Sequence, residues 1–245
     1  MIPKTIKFFI LLCAVAFVLA PYGWAGNKKV MSISAAKVLA ERALVESIYG
    51  LKVRSTEEVV DMVAASFIGK TESKTSAMIS GIKFEEVVYD AKQDIAKVTA
   101  TVQMDSITNI DGQVMDLRNK IFRRVAFSTS TPSKAGPLKA IRAAELDAYK
   151  QLAKRMAGFT LESETTVENY MLKSDVVKTK VLATLYLAQL TDFGWDDAGD
   201  AFVKMSLDVA AASEVLGEKI VGEEGVIEVE GTGAQVDDFK RAKTK

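Results

Sequence analysis

A self-match at an offset of 108 residues constrains this 245-residue chain more than any other feature of its sequence. "AAKVLAERALVESIYGLKVRS", from Ala35 to Ser55, realigns without a gap on "AAELDAYKQLAKRMAGFTLES", from Ala143 to Ser163, and the match extends over Ser34 to Ile82. Ten of these 49 positions are identical, among them Ala36/Ala144, Ala40/Ala148, Leu44/Leu152, Gly50/Gly158, Ser66/Ser174 and Lys70/Lys178. The substitutions keep their character: Ile48/Met156, Leu51/Phe159, Val53/Leu161, Ile79/Leu187 and Ile82/Leu190 all stay apolar. Such a period is far longer than the roughly 20–50 residues of a solenoid unit. It predicts a tandem duplication of one small domain. The expected class is α+β, with two α-β-α-β-β units, each a small antiparallel sheet carrying helices on one face.

Periodicity supplies the elements. Ala36, Leu39, Ala40, Ala43, Leu44, Ser47 and Ile48 fall on one helical face, as do Ile141, Ala144, Ala148, Leu152 and Met156 in the second copy. Gly50 and Gly158 stand where these helices are expected to stop in a left-handed turn. Alternation at Leu51, Val53 and Ser55, and at Phe159, Leu161 and Ser163, predicts a strand that "SETTVENY" prolongs in copy two. Shorter helices are expected near Ser66–Ser80 and Ser174–Leu187. Two strands close each unit around "DAKQD" and "DDAGD" as hairpin turns, with Val98–Met104 and Val203–Val209 alternating. The reading divides the chain into an export segment (1–25), a first repeat (26–105), a strand and linker (106–137), a second repeat (138–213) and a polar tail (214–245). In the middle segment "NIDGQ" is a turn, "KIFRRVAFST" a strand and "STPSKAGP" a polar linker. A short strand at Val226–Val229 is the one element suggested after Ser213.

The first 25 residues read as an export signal. Lys4 and Lys7 precede the apolar run Phe8–Ala20, Pro21 breaks it, and "GWA" places cleavage between Ala25 and Gly26. The run is shorter than the roughly 20 residues that span a bilayer, so cleavage is favoured over an uncleaved anchor. Cys13, the only cysteine, follows Leu12 where a lipidation signal wants a small residue, so it is read as part of the signal. The expected location is the periplasm or cell surface, peripheral to the membrane at most.

The chain has no histidine, so the commonest general base is missing, and Cys13 leaves no thiol beyond the signal. Asp196, Asp197 and Asp200 in "WDDAGD" lack the bidentate Glu of a calcium loop and read as a hairpin turn. "GTG" at Gly231–Gly233 has no following Lys-Ser/Thr and reads as a loop. Ser163 reads as a strand residue. Ser66-x-x-x-Lys70 and Ser174-x-x-x-Lys178 read as helix starts followed by a surface cation. Arg123 and Arg124 read as an exposed strand edge. In a chain of zero formal net charge they do not make a nucleic-acid footprint. Tyr149 and Tyr170 read as packing residues. No catalytic, cofactor or metal residue is assigned.

"IRAAELDAYKQLAKRMAGFTLESETTVENY" resembles the LPP-twenty-type bacterial surface lipoproteins and the related N-terminal domain of flagellar assembly protein T. Flagellar protein P belongs to the same group. Ala143, Ala144, Asp147, Ala148, Tyr149, Leu152 and Gly158 match the family's A-A-x-x-D-A-Y-x-x-L helix and its glycine stop. The first copy keeps Ala35, Ala36, Ala40, Leu44 and Gly50 but has Leu39 and Glu41 where Asp and Tyr would stand. The resemblance implies a non-enzymatic envelope protein that builds or decorates surface or flagellar structures, often as an oligomer. The expected function is therefore self-association or docking onto such an assembly, with homo-oligomers or envelope and flagellar proteins as partners. The alternative is a periplasmic binding module for a small apolar or peptide ligand between the two units.

Overall fold

Small side chains spaced four apart let a helix lie close to the sheet beneath it. Ser32, Ala36, Ala40, Leu44 and Ile48 form such a stripe, all of it buried, on α1 (Gly23–Lys52). The computed structural model describes residues 23–52, 80–108 and 114–234. Helix α1 packs on an antiparallel sheet of β1 (Lys83–Asp90), β2 (Ile95–Thr108) and β3 (Val114–Ser128), in that spatial order. Ala96, Val98, Ala100 and Val102 of β2 and Phe122 of β3 are buried with it.

In the second half a long helix also lies on a three-stranded antiparallel sheet. Helix α2 (Ala135–Ala157) buries Ala140, Ile141, Ala144, Ala148, Tyr149, Leu152 and Met156. After it come β4 (Thr160–Leu161), α3 (Val167–Met171) and α4 (Asp175–Tyr186). The antiparallel sheet beneath α2 has the order β5 (Gln189–Trp195), β6 (Ala201–Asp208), β8 (Val226–Gly233). Before β8 stand α5 (Val209–Leu216) and β7 (Ile220–Val221), the latter paired with β4. On β6, Ala201, Val203, Met205 and Leu207 alternate inward, as their period predicts. The buried residues of both halves join in one apolar cluster. The class is α+β with small antiparallel sheets.

The structure corrects the sequence reading in several places. The 106–137 segment contributes β3 to the first sheet, where it pairs with β2 along most of its length. "STPSKAGP" is not a linker, because Pro132–Lys134 form a 3-10 turn that runs into α2. The 214–245 tail contains β8, paired with β6 from Val226 to Gly233, so "GTG" is strand and not loop. Each closing hairpin thus gains a third strand in its sheet. Gly50 lies inside α1, which continues through Leu51 and Lys52 where a strand was expected. Gly158 does cap α2, but in right-handed conformation (φ −81°), so no left-handed turn is needed there. "SETTVENY" does not prolong a strand: Ser163 lies in a turn, Glu164 turns back at φ 59°, and Val167 opens α3. Val209 opens α5, and Leu39 faces outward on α1.

Ala25 and Gly26 lie in α1, while the apolar run Phe8–Ala20 falls outside the described residues. So do "NIDGQ", the remainder of the first expected strand, and nearly all of the helix expected at Ser66–Ser80. Among the described residues no helix is long and apolar enough to cross a membrane.

Helix starts were legible where a hydroxyl can satisfy a free N–H. Ser174 is extended (φ −169°) and its Oγ accepts from Val177 N at 3.3 Å, as the Ser-x-x-x-Lys pattern predicts. Ser174→Ala is expected to cost about 1 kcal/mol. Urea unfolding checks this, and Ser174→Asp, which restores the acceptor, is expected to stay near the parent.

Candidate functional site

The two halves meet where β3 approaches β5 and α2. Arg124 on β3 is the bulkiest of the fully buried side chains, 2% exposed, in place of the exposed edge read from sequence. Its Nε donates to Ser47 Oγ of α1 at 2.8 Å, and its Nη1 donates to the carbonyls of Arg123 and of Tyr186, which closes α4. The guanidinium lies 4.8 Å from the Tyr186 ring centre and 5.6 Å from that of Tyr149. Those two rings stand edge to face at 6.4 Å. One arginine therefore ties α1, β3, α2 and α4 together. Burial pushes the Tyr149 phenol up to about 12.

Arg124 lines a cavity of about 210 Å³ that also touches β1, β2, β5 and β6. Glu85, Glu86 and Glu145 bring three negative charges to its wall, each with a cation of its own. Arg123 Nε bonds Glu85 at 3.0 Å, Lys97 Nζ bonds Glu86 at 2.9 Å, and Arg142 pairs with Glu145. The hydrogen bond from Arg123 holds Glu85 below the usual carboxylate range, and that from Lys97 does the same for Glu86. A second, larger groove of about 580 Å³ runs between α1 and α2 over β3. Leu39, Ala43, Phe127, Leu138 and Ile141 give it an apolar floor, and Arg42, Lys139 and Arg142 stand along it.

The sheet edges differ sharply. The outward edge of β8 is sealed by a polar stripe on α2: Asp147 accepts from Thr232 N (3.1 Å), Gln151 donates to Glu230 O (2.8 Å) and Arg155 to Glu228 O (3.4 Å). On β5, Phe193 packs against Phe127 with the rings tilted and their centres 4.6 Å apart, and Trp195 Nε1 donates to Pro137 O at 3.0 Å. On β1, the counterpart of β5 in the first sheet, all residues but Tyr89 are exposed, with Phe84, Val87 and Val88 at 39, 43 and 47%. Among the described residues no strand pairs with the outer edge of β1.

Of the repeat-defining residues, Ala36, Ala40, Leu44, Ala144, Ala148, Tyr149 and Leu152 lie in the core. Gly50 and Gly158 mark the two helix ends loosely, and Asp147 seals β8. These positions build the fold more than a site. Asp196 Oδ1 accepts from Ala198 N and Asp200 N, both at 2.9 Å, as a hairpin turn requires. Among the described residues no group of three or more His, Cys, Asp or Glu is placed to hold a metal ion. Sequence reasoning missed Arg124 and Asp94. Little local marks either, since each draws most of its partners from distant segments. No protein-family model, curated protein or solved structure matches the chain.

Proposed function

We propose that this chain is an exported, non-enzymatic assembly protein of the bacterial envelope, and that its partner at β1 is a second copy of itself. The observation that carries this reading is the β1 edge, left without a paired strand among the described residues, beside a β8 edge sealed by α2 and a β5 strand whose aromatic side chains pack on neighbouring elements. Exposed strands template further pairing, and proteins usually blunt them. The register of β1 also suits self-pairing. Its ladder to β2 skips from Phe84 to Glu86, leaving Glu85 as a bulge. Turned antiparallel on its own copy about Val87, the strand sets Lys83 opposite Asp90, Phe84 opposite Tyr89, Glu86 opposite Val88 and Val87 opposite itself. Each pair shares a sheet face, the ends carry opposite charge, and the contact is two-fold symmetric. Lys37 of α1 stands 5.3 Å from the Phe84 ring. Exposed Val30, two turns earlier on that stripe, extends the apolar surface toward the partner. The signal-like N-terminus and the resemblance to surface and flagellar proteins support the wider role.

Light scattering in line with size exclusion is expected to give the mass of two chains at high concentration, and of one chain for Val87→Lys. A one-chain mass for the parent at every concentration rules out self-pairing. Val87→Cys in a Cys13→Ser background is expected to form an interchain disulfide, since opposed strand residues lie within disulfide reach, while Val226→Cys on the other sheet does not.

The groove between α1 and α2 favours a second reading, a binding module for a small apolar or peptide ligand. It predicts a monomer that takes up an apolar fluorophore, with Leu39→Glu abolishing the signal.

A further inference from the structure

Helices α1 and α2 flank the end of β3 while scarcely touching each other, and the groove of about 580 Å³ lies between them. Small residues keep it open, since Ala35 and Ala43 on α1 and Ala135 on α2 are too short to meet across β3. Its two ends are unlike. Ser128 Oγ donates to Ser32 O and Arg124 Nε to Ser47 Oγ, so β3 runs from the Ser47 part of α1 to its Ser32 part. Helix α2 starts a few residues after Ser128 and carries Glu145 to the cavity that Arg124 lines. Both helices therefore advance in the same direction along the groove. Ala35 and Ala135 stand at its start, Leu39 and Leu138 follow, and Arg42 and Arg142 come about one turn later. Lys139, exposed, is a third cation. Glu145 is the one carboxylate among the described residues lining the groove, and Arg142 already engages it. Leu39 leaves 43% of its surface open to water here, apolar exposure that a ligand would remove.

We propose that this groove holds a fatty acid, its acyl chain along Leu138, Leu39 and Phe127 and its carboxylate at Arg42, Lys139 and Arg142. The proposal rests on the reading of the groove as a binding site and is independent of pairing through β1. A neutral apolar ligand gains nothing from the three cations, and a cationic one is repelled by them. A carboxylate matches the guanidinium groups in geometry as well as in charge. From Ala35 to Ala43 the groove follows about 12 Å of α1, at about 1.5 Å per residue. An extended chain of about ten carbons has that length, each C–C bond of about 1.5 Å advancing it by about 1.25 Å.

The test loads the purified protein with the neutral fluorophore N-phenyl-1-naphthylamine and displaces it with decanoate, hexanoate or decanol at neutral pH, where both acids are ionised. Decanoate is expected to bind once per chain by calorimetry and to displace the fluorophore at a concentration at least fivefold below that of decanol. Hexanoate is expected to need at least tenfold more than decanoate, since each buried methylene is worth about a fourfold change in affinity. Lys139→Glu, at an exposed position, is expected to bring decanoate down to the level of decanol. Equal displacement by decanol and decanoate in the parent overturns the carboxylate head and leaves the groove a site for apolar ligands. No uptake of the fluorophore overturns both. Displacement by N-acetyl-trileucine but not by decanoate gives the groove to a peptide, and uptake per chain that falls as protein concentration rises gives it to a second copy.

Discussion

Gly231→Ala is expected to cost at least about 3 kcal/mol, or to leave the chain unfolded, through a single added methyl group. Gly231 sits on β8 opposite Val203 and faces α2. An ideal Cβ there overlaps Ala144 O and Ala148 N, and comes within 2.8 Å of Ala148 Cα. Those two atoms are an i to i+4 pair of the helix, so the methyl lands on α2's own hydrogen bond. Nothing at this contact is a flexible side chain that can swing aside. Gly233 repeats the arrangement one turn earlier, where a Cβ overlaps Ala140 O and lies 2.5 Å from Ala144 N. Helix and strand thus touch backbone to backbone, along Ala140, Ala144 and Ala148 on one side and Gly231 and Gly233 on the other. To admit the methyl, β8 must move away and open voids beside Tyr149 and Leu152. Thr232→Ala, exposed between the two glycines, is the control and is expected within about 0.5 kcal/mol of the parent. Denaturant unfolding compares them. A Gly231→Ala protein as stable as the control sinks the close-contact account.

Asp94→Asn is expected to cost about 2–4 kcal/mol, since hydrogen bonds to a charged group are each worth about 1.5–3 kcal/mol and do not sum fully. Asp94 ends the β1–β2 turn with φ 51°, a conformation asparagine shares, so the substitution isolates the charge. Its Oδ1 accepts from Ser32 Oγ (2.9 Å) and Tyr89 OH (3.0 Å). Its Oδ2 accepts from Thr131 Oγ1 (2.6 Å), Ser130 Oγ (2.8 Å) and, at 3.4 Å, Thr129 Oγ1. Ser32 also accepts from Ser130 N at 2.9 Å, which pins α1 to the segment leading into α2. Burial by itself raises the Asp94 pKa, but the hydroxyls of Thr131, Ser130, Ser32 and Tyr89 outweigh it and hold the group well below the usual carboxylate range.

The pH dependence follows from that direction. A carboxyl whose folded pKa is depressed contributes stability that is fully present above its unfolded pKa, near 4, and is lost as pH falls below that value. The gap between parent and Asp94→Asn is therefore expected to be constant from neutral pH down to about pH 5 and to close in stronger acid. A gap as wide at pH 2 as at neutral pH contradicts the charge-based account.

Much of the skeleton was legible because it depends on local period. Three- and four-residue spacing placed the buried faces of α1 and α2, alternation placed β2 and β6, and Ser174 marked the start of α4. The third strand of each sheet was not legible as a member of it. β3 was read as a strand without a partner, and β8 reads V-I-E-V-E-G-T-G, with too few apolar side chains to announce burial. Glycine carries no hydropathy signal, and its burial here comes from an alanine stripe more than 80 residues earlier. The Arg123–Arg124 pair reads as polar edge for the same reason, although α1, α2 and α4 close over the second arginine.

The sequence by itself determined which faces of its helices and central strands turn inward, since that follows from spacing along one element. Tertiary structure alone decided what covers those faces, which edge is left unpaired among the described residues and that the Arg124 charge is buried among hydroxyl, carbonyl and aromatic groups. These depend on backbone approaching backbone and on hydroxyls and guanidinium converging from segments far apart in the chain, and no local pattern encodes that convergence.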